Sequence, residues 1–320
     1  QAKELAQPSA FRDARRVTLT DAHPMNNLRG ILFITAAMAA FSIEDSFIKH
    51  LSGSVPKGQI MLLLGLGGAL VFFLVALRQR VNVFAKRHFS WPLFWRTASE
   101  SVAALFFITS LSLVPITTVA SVFQATPLAI TLGAALFLGE QVGWRRWSAI
   151  MVGFLGVLII IRPGMAGFDP ASLFVVITVF TIAARDLLTR LIPTETSSTV
   201  VSFYGFFALV VSSPLLMAIT GWPEAVTGTE ALSLGAAVAF GVIGYYLIVT
   251  AMRMGEASAI MPFRYTRLLF SIILGAWIFG ESPDALTYLG SALIIASGLY
   301  TFLRERKLAR AMAREASATA

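Results

Sequence analysis

Ten windows of mostly apolar residues divide the chain: 28–49, 59–77, 94–113, 117–138, 147–161, 171–189, 198–219, 231–252, 257–279 and 285–303, separated by short polar or Gly/Pro-marked breaks. A helix needs about 20 predominantly apolar residues to cross a bilayer. Over the 320 residues, 57% are hydrophobic and 13% charged, against about 25% charged in an ordinary soluble domain, and the mean hydropathy is +0.76. These windows predict an all-α polytopic membrane protein with ten transmembrane helices.

The formal net charge of +8 raises nucleic acid as a partner, but the placement of the charge argues for a lipid bilayer. With the amino terminus inside, threading puts 19 Lys and Arg on the inner side and only Lys49, Lys57 and Arg162 on the outer; Arg185, Arg264 and Arg267 fall within spans. This is the positive-inside asymmetry, so both termini are expected to be cytoplasmic. Residues 1–27 then form a cytosolic tail; their polar, mixed-charge character carries no signal-peptide pattern. Residues 304–320 form a basic cytosolic tail. The absence of cysteine excludes disulfides, thiolate metal sites and cysteine nucleophiles.

A constant shift of 141 superimposes unusual positions of the two halves. Gly139-Glu140 in LFLGEQ falls on Gly280-Glu281 in WIFGES, Asp45 with Lys49 falls on Asp186 with Arg190, Thr109 on Thr250, and Glu44 on Arg185. Each half, 28–162 and 163–303, holds five spans. An odd number makes the second copy enter the membrane from the opposite side, which predicts an inverted five-plus-five repeat of the kind transporters use.

On the paired segments SVFQATPLAITLGAALFLGE and AIMPFRYTRLLFSIILGAWIFGE, each followed by a glycine-containing span (Gly153 and Gly156; Gly290 and Gly298), the chain resembles the drug/metabolite transporter superfamily, EamA type, over about residues 28–303. The resemblance implies two bundles around a central substrate cavity and alternating access by rocking of one bundle against the other. Relatives carry amino acids, nucleobases, S-adenosylmethionine and vitamins, so it implies a machine and leaves the cargo open.

An arginine at mid-span carries a cost of about 2.5 to 3.5 kcal/mol on insertion scales, so Arg264 and Arg267 must face protein, water or ligand. Residues 264, 267, 271 and 275 recur at helical spacing as Arg, Arg, Ser and Gly, a polar narrow face. Pro262 interrupts that helix, and Pro127 does the same in the fourth span, where Ser121, Gln124 and Thr131 form a matching face. The shift of 141 lays Tyr265 over Gln124, and the two bent helices should meet at the repeat axis. Arginine's planar fork suits carboxylate or phosphate. Substrate contacts are therefore expected at Arg264, Arg267, Tyr265, Gln124, Ser271 and Glu44. Tyr245 and Tyr246 join them, on a segment slimmed by Gly241 and Gly244.

The competing reading makes the arginines structural partners of Glu44, Asp45 or Asp186. Glu44, Asp45 and Asp186 are also candidate proton carriers, since carboxylates inside a membrane mark proton relays. Same-helix spacing offers Asp45 to Lys49, Asp186 to Arg190 and Glu100 to Arg96, whereas Glu44 has no such base and is the preferred cavity acid. Glu140 and Glu281, after Gly139 and Gly280, are expected to organise helix ends. The histidines lack metal-ligand spacing.

No intramembrane aspartyl-protease signature, zincin or serine-hydrolase string, or ATP-binding phosphate loop occurs. The expectation is a secondary-active carrier of a small organic metabolite in a bacterial-type inner membrane, without cofactor or metal, as monomer or homodimer. The arginines favour an anionic or zwitterionic cargo, amino-acid-like or S-adenosylmethionine-like, with protons as candidate coupling ion. The alternatives are an exporter of amino acids or drug-like compounds, a carrier of a flat heterocycle such as a vitamin or nucleobase, and, behind these, a membrane-embedded enzyme.

Overall fold

A computed structural model describes residues 24–138, 143–165, 168–193, 195–254 and 260–318. Every regular element among them is helical: α1 Pro24–Leu51, α2 Lys57–Arg78, α3 Trp91–Leu113, α4 Ile116–Phe123, α5 Thr126–Phe137, α6 Trp144–Ile161, α7 Ser172–Thr189, α8 Ser198–Thr220, α9 Gly228–Met254, α10 Thr266–Phe279 and α11 Ala285–Ala318. Helices α4 and α5 are two pieces of one span, so ten spans result, as expected. Eight of these are long and apolar enough to cross a membrane. The exceptions are α3, which carries Arg96 and Glu100, and the 14-residue α10.

Proline shapes the interior. The α4/α5 break falls at Gln124 and Ala125, ahead of Pro127, and α10 is preceded by a 3-10 turn, Met261–Tyr265, that contains Pro262. The two breaks occupy equivalent places in the repeat. Proline lacks the N–H that would bond four residues back, and nearby hydroxyls take over the freed carbonyls. Thr126 donates to Phe123 O at 2.6 Å, and Ser213 donates to Val210 O at 2.9 Å beside Pro214 inside α8. In lipid such compensation is what allows a broken helix.

Helix packing respects the repeat. The α1–α9 pair is matched by α7–α3, the α1–α10 pair by α7 against α4 and α5, and α2–α9 by α8–α3; α2–α8 and α6–α11 map onto themselves. Without a hydrophobic drive between helices in lipid, close approach carries the packing. At the α6–α11 crossing a Cβ on Gly156 would lie 2.6 Å from Gly290 O, and one on Gly290 would lie 2.6 Å from Gly156 O. Only glycine permits that contact.

The largest buried apolar cluster, including Ile48, Leu51, Ile60, Met61, Leu111, Ile116 and Ile160, fills the end of the bundle where α1 finishes. A smaller one around Ile34, Met38, Ala251 and Ile260 lies between α1 and α9 nearer the other end.

Candidate functional site

The cavity starts above the apolar floor. It holds about 480 Å³ and is lined from Ile48, Leu64 and Ile108 at its deep end to Arg146, Arg190 and Phe302 near the end where α1 begins. All five spans with a break or an in-span charge contribute to its wall: α1, α3, α4/α5, α7 and α10.

Beneath the floor the bundle is tied shut. Gly280 adopts a left-handed conformation (φ 64°) that ends α10, and the Glu281 N–H reaches back to Gly275 O at 3.0 Å. This turn aims the Glu281 carboxylate across the repeat boundary at the start of α4, where it accepts from the Ile116 N–H (2.8 Å), the Thr117 N–H (3.0 Å) and the Thr117 hydroxyl (2.9 Å). Lys49, ending α1, donates to Val114 O (2.7 Å) and Leu111 O (3.3 Å) and lies 3.6 Å from Glu281 Oε1. Glu281 thus organises the start of a helix in the other half. Gly139 and Glu140, its repeat equivalents, lie outside the described residues.

The charged residues pair across helices. Asp45 does not take Lys49: its carboxylate accepts from Arg267 at 2.6 Å, with the two side chains only 5% and 13% exposed. The guanidinium also lies 4.8, 5.6 and 5.7 Å from the ring centres of Phe123, Phe41 and Phe107. Cation–π contacts of this kind contribute about 0.5 to 2 kcal/mol each, comparable in sum with the insertion cost. Ser42 donates to Arg267 O at 3.2 Å, which fixes α10 against α1.

On the opposite wall Arg185 of α7 bonds Glu100 of α3 at 3.0 Å and Asp186 at 2.8 Å, and Arg96 reaches the same Glu100 at 3.0 Å. Arg96 also donates to Val201 O on α8. The sequence pattern offered Glu100 only to Arg96, because Arg185 sits on another helix. The shift of 141 gave no signal for the Arg185–Glu100 pair, since it carries Arg185 onto Glu44 and Glu100 onto Gly241.

Of the expected substrate contacts, Glu44, Gln124, Tyr245, Arg264, Tyr265 and Arg267 line the cavity together with Asp45, Pro127 and Pro262. Two expected contacts are placed elsewhere. Tyr246 is 65% exposed on the outer side of α9, because adjacent helical residues diverge by about 100° and Tyr245 takes the inner direction. Ser271 is fully buried and shares a 3.2 Å hydrogen bond with Ser42, so it joins α10 to α1 and does not line the cavity. Asp186 lies outside the lining and is bound to Arg185. Among the three candidate proton carriers, Glu44 alone has no ion pair among the described residues. The Gln124 side-chain nitrogen is buried without a hydrogen-bond partner among the described residues. The rings of Phe41 and Phe123 were not expected here; apolar residues in an apolar span give no sign of which way they point.

A ten-span inverted repeat with two broken helices meeting beside a charged internal cavity defines a multi-pass membrane carrier of small solutes. The chain belongs to the EamA-like transporter family, whose profile matches residues 28–162 and again 169–303. It is 27% identical to the riboflavin transporter of Rhizobium johnstonii over 90% of this chain and 95% of that one. It is 30% identical to the S-adenosylmethionine uptake transporter of Rickettsia bellii over 62% of this chain and 67% of that one, and 24% identical to the pseudopaline exporter of Pseudomonas aeruginosa over 84% and 94%. A protein of known crystal structure shares the fold with a TM-score of 0.61 at 20% identity, covering 87% of this chain and 98% of its own.

Proposed function

We propose that this transporter carries an anionic or zwitterionic organic metabolite, amino-acid-like or S-adenosylmethionine-like, by alternating access across a bacterial inner membrane with both termini cytoplasmic. The observation that carries the reading is the placement of Arg264 on the cavity wall beside Tyr265 and Gln124, whose buried side-chain nitrogen has no hydrogen-bond partner among the described residues. A guanidinium on the wall of a low-dielectric enclosure, with its planar fork of donors, favours an anionic group on the occupant. Arg264, on the interrupted fourth span of the second half, is the residue to hold it, with Tyr265 and Gln124 orienting the remainder. On this topology the arginine-lined mouth faces the cytoplasm and the tied end faces outward, so the molecule is in an inward-facing arrangement.

A flat heterocyclic cargo is the second reading. Phe41, Phe107, Phe123, Phe206 and Tyr245 line the cavity, and a relative similar over nearly its whole length is named a riboflavin transporter. A thermal-shift screen of carboxylates, amino acids, S-adenosylmethionine and riboflavin, followed by counterflow in liposomes, tests both. Uptake of an anion or zwitterion by the wild type, reduced about tenfold or more in Arg264→Gln, is expected, a loss of about 1.4 kcal/mol or more of binding. Hits confined to plain cations would overturn the substrate class.

A further inference from the structure

The repeat relation sets each contact in one half beside a counterpart in the other. Where α3 packs on α7, Arg185 Nη1 donates to Glu100 Oε1 at 3.0 Å and to Oε2 at 3.3 Å. The shift of 141 carries Arg185 onto Glu44 and Glu100 onto Gly241. These two meet where α1 packs on α9: a Cβ on Gly241 would lie 2.5 Å from Glu44 Oε1 and 3.1 Å from Oε2. The same position of the fold therefore holds a complete ion pair in one half and a carboxylate facing bare backbone in the other.

Nothing else among the described residues completes the pair. Glu44 has neither hydrogen bond nor ion pair. The Arg267 guanidinium acts on it through space but is bonded to the neighbouring Asp45. Glu44 lines the cavity, and so do two rings one turn away, Phe41 on α1 and Tyr245 on α9. A carboxylate in an enclosed site with aromatic faces beside it is the arrangement that attracts an organic cation.

We infer that Glu44 over the Gly241 notch is the subsite for a cationic group of the cargo, an ammonium or sulfonium, which takes the place that Arg185 fills against Glu100 in the other half. The inference rests on the anion-binding reading above and narrows it to a zwitterion: an anionic end at Arg264 and a cationic end at Glu44.

The test measures binding by thermal shift and counterflow for the common amino acids, each beside its analogue lacking the amino group, in wild type, Glu44→Gln, Gly241→Ala and Arg264→Gln. Glu44→Gln is expected to lose about tenfold or more in affinity for the zwitterion, about 1.4 kcal/mol, and to keep the deaminated acid. Arg264→Gln should lose both. Gly241→Ala should weaken the zwitterion several-fold, because the new methyl group displaces the carboxylate, and should leave the acid unchanged. Unaltered zwitterion affinity in Glu44→Gln, or wild-type binding of deaminated acids alone, would overturn the cation subsite and leave the anion reading standing. Absence of binding by acids and zwitterions alike would bring down both.

Discussion

Lys49 Nζ and Glu281 Oε1 stand 3.6 Å apart and join the end of the first span of one half to the end of the fourth span of the other. Around them, the carboxylate caps α4 and the ammonium holds the last carbonyls of α3. Four helix ends from both halves thus share one charge-assisted knot directly beneath the apolar floor of the cavity. Opening the bundle at this end requires the knot to part.

Glu281→Gln should therefore favour opening at the tied end. The chain contains no cysteine, so a single Ile108→Cys at the cavity floor can report access directly. Labelling by a membrane-impermeant maleimide from the tied side is expected to be several-fold faster in Glu281→Gln than with Glu281 intact. Removing the charge also leaves Lys49, 17% exposed, without its counter-ion, at a cost of about 1 to 3 kcal/mol in thermal unfolding.

Breaking the Asp45–Arg267 pair from one side should be worse than removing it. Asp45→Asn strands a guanidinium among three aromatic rings, and loss of one partner of a buried pair destabilises by about 3 to 5 kcal/mol. The double variant Asp45→Asn with Arg267→Gln should recover much of this. A double-mutant cycle followed by thermal unfolding in detergent measures the coupling, and additive effects would show that the two side chains act separately.

Gly156→Leu is expected to separate α6 from α11. Its side chain would have to occupy the space of the Gly290 carbonyl, 2.6 Å from the first added carbon; overpacking typically costs about 1 to 3 kcal/mol, and more where backbone is the obstacle. Reduced thermal stability, with Ser148→Leu on the exposed side of the same helix as the tolerated control, is the readout.

At the tied end Asp284 accepts hydrogen bonds from Arg162 and from the Thr287 N–H, and these hold its carboxyl down at about 2 from an ordinary 3.8. A depressed folded-state value contributes stability that is fully present above the unfolded value and is lost as pH falls toward the folded one. The stability difference between wild type and Asp284→Asn should then be flat at neutral pH and close between about pH 4 and 2. Asp284 is half exposed, so the difference is small and shrinks further with added salt.

The helical class, the ten spans and the inverted repeat were legible before any coordinates, because each follows from local composition and from recurrence along the chain. The breaks at Pro127 and Pro262 were legible for the same reason, since proline disrupts a helix wherever it stands. The ion pairs were not. Same-helix spacing offered Asp45 to Lys49, whereas the two separate: Asp45 turns inward to Arg267, and Lys49 turns to Glu281 and the carbonyls of α3. Tyr245 and Tyr246 read alike in the chain, and a difference of one residue sends one to the cavity and the other outward.

Hydrophobic length, charge asymmetry and the shift of 141 are properties of the string, and they dictate how many helices there are and that their halves run in opposite senses. Which helices touch is a property of the assembled bundle. The meeting of α1 with α9 and of α3 with α7 gives Arg185 an acid and gives Glu44 a glycine. Electrostatic partnership depends on distances of a few ångströms between segments far apart in the chain, and packing alone sets those distances.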